Sequence, residues 1–186
     1  MSLFSCPLKA EFWLCLLGVV CLLLYFPVNA QDSLSKEDKL KASYIWNFIG
    51  FINWRDLGSD KLPSEIRICV DGSNVFLDFF RQLVGNKRVG KLQHSVKVLQ
   101  LNAAKKCELI YVRHANKKTA LRVVGAQRLN NNTVIVTDIA SIYFPPPSIV
   151  FYQENNKLRF EVDLKKINSL NVDISSELLK LARIKQ

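Results

Sequence analysis

Apolar residues follow three patterns along this chain. From Phe12 to Phe26 they form an unbroken run, FWLCLLGVVCLLLYF. Leu40, Tyr44, Ile45, Phe48, Phe51 and Ile52 then recur at helical spacing. Ser35-Lys36-Glu37-Asp38 opens that helix as a capping box, and the pattern carries it to near Trp54. Beyond it the apolar residues gather into short runs or alternate, which predicts strands over Glu65–Val70, Ser95–Leu101, Glu108–Val112 and Thr133–Thr137. Helices are predicted over Val75–Val84, stopped by Gly85, and over Asn116–Leu129. Ile149–Tyr152 and Lys157–Val162 flank Asn155-Asn156, residues that tolerate positive φ, and read as a hairpin. Two short helical stretches follow, near Leu164–Leu170 and Ser175–Ile184. Strands alternating with helices predict an α/β fold: a mostly parallel sheet flanked by helices, with an antiparallel hairpin at one edge.

The first apolar run changes how the chain is counted. Lys9 precedes it and Val28-Asn29-Ala30 follows it, a small-residue cleavage signature. The run is shorter than the ~20 residues that span a bilayer. Residues 1–30 therefore read as a secretory signal peptide, and residues 31–186 as one exported α/β domain. The rival reading is an uncleaved anchor. Cleavage removes Cys6, Cys15 and Cys21 and leaves Cys69 and Cys107 in a compartment where disulfides persist. A single pair has one intramolecular connectivity.

The formal net charge is +10, which raises nucleic acid as a partner. Export argues against it. The positive pairs are also scattered, at Lys87-Arg88, Lys105-Lys106, Lys117-Lys118 and Lys165-Lys166. The expectation is a solvated basic surface and no nucleic acid, with an acidic partner or anionic membrane face as the sharper alternative.

Three constellations carry candidate chemistry. Cys69 and Cys107 could join His94 and His114 as a zinc site, but none of these residues has the close spacing of structural zinc motifs. Neither a metal nor a cofactor is expected. In a parallel sheet, ligands bind beyond the carboxyl ends of the strands. Asp71 and Ser73 follow one predicted strand, His114 follows another, and Asp138 ends a third. They outline a possible ligand crevice, or a nucleophile, base and orienter. The segment Asp71-Gly72-Ser73-Asn74-Val75 lacks the form of a nucleophile elbow, so no catalytic residue is assigned. Turn and cap chemistry explains the same residues. Lastly, Tyr44, Trp46, Phe48, Phe51 and Trp54 point in too many directions for one core stripe. Trp46, Phe51 and Trp54, with Phe144, are candidate interface residues for a partner or a second copy of the chain, because exposed aromatics anchor interfaces.

Several segments together resemble the YfiR-like family of small periplasmic proteins. They are Ala42-Ser43-Tyr44-Ile45-Trp46-Asn47-Phe48 through Trp54, Ile66–Val70, Cys107–Val112, Thr133–Asp138, Leu158–Asp163 and the tail Val172–Ala182. The resemblance covers essentially the whole domain. It implies a periplasmic α/β regulator rather than an enzyme. In this role it would repress an inner-membrane diguanylate cyclase by binding the periplasmic sensor domain of that cyclase, lowering cyclic di-GMP signalling and biofilm formation. Cys69 and Cys107 fall where the family places a strand-to-strand disulfide. Between Asp138 and Val150 the family usually has a glycine-containing turn; this chain has Phe144-Pro145-Pro146-Pro147 instead. A ligand-sensing or solute-binding protein is the alternative, and a small periplasmic hydrolase the third reading.

Overall fold

The computed structural model describes residues 34–55, 65–90, 93–102, 104–113, 117–130, 132–138 and 146–185. Residues 1–33, which include the segment read as a signal peptide, and His114 and Phe144 lie outside the described residues. Among the described residues, no helix is long and apolar enough to cross a membrane.

Helix α1 (Lys36–Phe51) starts where the sequence indicates, with the Ser35 hydroxyl accepting the Asp38 N–H. It stops short of Trp54. Ile52 is extended, and β1 (Ile52–Trp54) pairs antiparallel with β9 (Val172–Ile174) in a small two-stranded sheet. Helical periodicity continues through Ile52, but pairing with a strand 120 residues away overrides it.

The main sheet has eight strands in the order β10-β8-β7-β6-β5-β2-β4-β3. Their ranges are β2 Glu65–Asp71, β3 Arg88–Val89, β4 His94–Gln100, β5 Leu109–Val112, β6 Val134–Thr137, β7 Ile149–Glu154, β8 Lys157–Asp163 and β10 Arg183–Lys185. The central run β4-β2-β5-β6-β7 is parallel throughout. This is the strand order of a doubly wound fold, with its switch point between β2 and β5. The antiparallel hairpin β7–β8 turns at Asn155 and Asn156, both at positive φ.

Strand alternation divides the interior into two layers. Ile66, Ile68 and Val70 of β2, Leu109 and Tyr111 of β5, and Val134 and Val136 of β6 pack with α1 and α2 (Asn74–Val84). Phe48 is the hub of this layer, with its ring near those of Tyr44, Phe151 and Phe160. On the other face, Cys69, Cys107, Ile110, Val112 and Ile135 pack with Val123 and Ala126 of α3 (Lys117–Leu129).

The tail departs from expectation. Helix α4 (Leu164–Asn168) and helix α5 (Ser176–Leu179) are shorter than the sequence pattern predicts, and the chain ends in strand β10 rather than in helix. A helix through Ile184 would need Leu181 in the core, yet Leu181 is exposed. Charge pairing across the strands accounts for the alternative. Arg183 bonds Glu161 at 2.6 Å and Lys185 bonds Asp163 at 3.2 Å, each with its register partner on β8. The hairpin lies at this side of the sheet, with the three-residue β10 added outside it.

Candidate functional site

Two regions of the domain hold the residues singled out in the sequence. The first is the carboxyl end of the parallel strands. Asp71 ends β2, and its carboxylate accepts the Thr119 hydroxyl at 2.8 Å and the Arg122 guanidinium at 3.2 Å, both from α3. The Ser73 hydroxyl accepts the Phe76 N–H and caps α2. Asp138, just past β6, accepts the Tyr111 hydroxyl and the Lys41 ammonium, each at 2.8 Å. Lys41 also pairs with Glu37, one turn earlier on α1. Arg113 pairs with Asp38 at 2.8 Å and lies over the Phe76 ring.

The structure thus places Asp71, Ser73 and Asp138 at one end of the sheet but does not bring them together. Strand β5 separates β2 from β6, so Asp71 and Asp138 stand about 10 Å apart. Each of the three is engaged with a different partner. These contacts clamp α1 and α3 onto the strand ends. A cavity of about 320 Å3 remains beside the clamp, lined by Glu37, Lys41, Arg113, Asp138 and the β7–β8 hairpin.

Sequence reasoning missed Lys41 and Arg113. The signal for Lys41 was present: it precedes Ile45 by four residues and Phe48 by seven, so it occupies the buried stripe of α1. A lysine there needs acidic company, and Glu37 and Asp138 supply it. Burial pulls the Lys41 ammonium towards lower pKa, but the hydrogen bonds and charges of Asp138 and Glu37 outweigh it and raise the group above its ordinary 10.5. Burial first, and then the Asp138 carboxylate, push the Tyr111 phenol well above its ordinary 10.0. Both groups hold their protons more tightly folded than unfolded. The stability they add is complete below about pH 10 and is lost as the pH rises past it. Tyr111→Phe is expected to cost about 1.5–3 kcal/mol at neutral pH and to flatten the decline in stability above about pH 10. Urea midpoints measured from neutral to alkaline pH check both.

The second region lies at the opposite end of the sheet. A groove of about 520 Å3 runs between the end of α1, β1 and the end of β9, with Phe51, Ile52, Trp54, Ile66, Val89 and Ile174 along its apolar walls. Asp173 at its rim is held by Arg55. Phe51 is 36 % exposed here. Trp54 corrects the expectation of an interface residue: it is 6 % exposed, and its indole N–H donates to the Glu108 carbonyl at 3.2 Å. Trp46 is half-buried, with the Lys87 ammonium above its ring. Five residues separate Trp46 from Phe51, a rotation of about 140° on a helix, so the two rings belong to different surfaces.

The chemistry of the cysteines is also settled by position. Cys69 sits mid-strand in β2 and Cys107 just before β5, and they form a disulfide with Cα atoms 5.8 Å apart. That bond withdraws both thiolates from any zinc site built with His94 and His114.

The class defined by these features is a disulfide-stapled, doubly wound α/β domain with paired charges at its strand ends and an apolar groove at the other end. Residues 38–183 match the family described as YfiR/HmsC-like, and the chain belongs to that family. No curated protein matches it closely enough to count as a relative.

Proposed function

We propose that this protein is a periplasmic regulatory binding domain, exported by a cleaved leader, that represses an inner-membrane diguanylate cyclase by binding its periplasmic sensor domain. Cyclic di-GMP signalling and biofilm formation fall as a result. The observation that carries this reading is the match to the YfiR/HmsC-like family over residues 38–183. The buried Cys69–Cys107 disulfide agrees with an oxidising compartment. The strand-end residues are engaged in clamping and capping, so the repressor works by occupancy and not by turnover. Phe51 beside its groove supplies the apolar anchor and pocket on which interfaces depend. Deleting the gene should raise cyclic di-GMP, and exporting extra protein should lower it. Unchanged cyclic di-GMP in both strains would sink the proposal. The groove also favours a second, compatible reading: its volume lies in the ~300–1,000 Å3 range of small-molecule sites, so a ligand there could tune the affinity for the cyclase.

A further inference from the structure

The seam between α1 and α2 carries lysines without acidic partners among the described residues. Lys36, Lys39, Ser43, Trp46 and Gly50 recur at intervals of three and four, so they form one stripe along α1. The Lys39 ammonium lies 6.0 Å from the centre of the Phe79 ring on α2, and Lys87, just past α2, lies 5.5 Å from that of Trp46. The two helices therefore run side by side in the same direction. Both rings are half-buried against the core, with lysine ammonium groups over them. The three acidic side chains of these helices are all committed elsewhere: Glu37 to Lys41, Asp38 to Arg113 and Asp78 to Arg81. Among the described residues, Lys36, Lys39 and Lys87 have no acidic partner. Leu40 and Val75 are exposed on the same two helices.

We propose that this α1–α2 seam is a membrane-facing surface that binds anionic phospholipid headgroups. It rests on the periplasmic reading only for which bilayer it meets. The Lys39 and Lys87 ammonium groups lie over aromatic faces, and Lys87 also donates to the Leu83 carbonyl at 2.7 Å; with three donors each, they still have N–H groups to offer a phosphate. Tryptophan favours the headgroup level, where one part of the ring is wet and the rest apolar. Specific peptide recognition relies instead on a groove or pockets for anchoring side chains. The seam is a ridge of two parallel helices, and only Gly50 of its stripe reaches the grooves at the ends of the sheet. A smooth anionic surface needs no pocket, only unpaired cations and shallow apolar contact. Docked this way, the domain would be held at the bilayer from which a membrane partner projects.

The test is sedimentation of protein made from the full chain with phosphatidylcholine vesicles, with and without phosphatidylglycerol. Binding is expected only when phosphatidylglycerol is present, and it should fall at high salt. Lys39→Gln/Lys87→Gln should weaken it about 30-fold, on the scale expected for two lysines near an anionic surface. Lys165→Gln/Lys166→Gln removes the same charge from α4 and should leave most of the binding intact. Equal binding to neutral vesicles, no binding to either vesicle, or equal loss in both double variants would overturn the proposal. Loss of cyclase inhibition by the seam variant in lipid-free detergent would also overturn it, because the seam would then be a protein-binding face. A seam variant that still inhibits in detergent but no longer binds vesicles would support it and leave the repressor reading untouched.

Discussion

Replacing Cys69 with serine, or reducing the disulfide, is expected to lower the free energy of unfolding by about 4 kcal/mol. The bond closes a loop between residues 38 apart in sequence, and that length sets the magnitude through the entropy denied to the unfolded chain. The effect is large beside a typical domain stability of ~5–15 kcal/mol. Position adds to it. Cys69 lies in the centre of the sheet, paired with Leu99 on one side and Ile110 on the other. Cys107 is equally buried, and its carbonyl accepts the Thr133 hydroxyl at 2.7 Å and the Asn130 side chain at 3.0 Å. The disulfide thus ties the entry to β5 to the strand it must pair with. Urea unfolding of oxidised, reduced and Cys69→Ser protein measures the loss. A difference below about 1 kcal/mol would mean that residual structure in the reduced chain replaces the constraint.

Trp54→Ala is expected to destabilise the domain by about 3–5 kcal/mol, the cost of emptying a large buried aromatic site. The indole fills the space between the small β1–β9 sheet and the main sheet, and its N–H satisfies the Glu108 carbonyl. That carbonyl belongs to a residue whose carboxylate is itself tied to Arg67 by three hydrogen bonds. Phe51→Ala, three residues earlier, should cost clearly less than Trp54→Ala, about 1 kcal/mol, because Phe51 is already 36 % exposed. The two variants separate core from interface. If Phe51 anchors the cyclase, its alanine variant inhibits less while unfolding normally. A large stability loss at Phe51, or none at Trp54, would reverse these assignments.

Much of the fold is legible in the sequence because its signals are local. Ser35, Ser73 and Gly85 mark helix ends through their own capping chemistry. The unbroken apolar run Leu109–Val112 reports a strand buried on both faces. Asn155-Asn156 announces the hairpin through its tolerance of positive φ. What the sequence conceals depends on distant partners. Ile52–Trp54 becomes a strand only because Val172–Ile174 is there to pair with it. Arg183–Lys185 becomes a strand because Glu161 and Asp163 stand opposite. The candidate site is legible to a smaller degree. The strand-end position of Asp71, Ser73 and Asp138 follows from topology, but their occupation by Thr119, Arg122, Phe76, Lys41 and Tyr111 requires knowing which helix packs where. The apolar groove at Phe51 is less visible still, since its walls come from α1, five strands and the turn after β3.

The most direct measurement is cyclic di-GMP synthesis by source-cell membranes that contain the cyclase, titrated with the purified protein. A repressor that acts by occupancy gives saturable inhibition that depends on protein concentration and is relieved by dilution. Ser73→Ala protein should inhibit equally, because the Ser73 hydroxyl it lacks caps α2. Synthesis unaffected at any protein concentration would contradict the account. So would inhibition that grows with time at substoichiometric protein and is lost in Ser73→Ala.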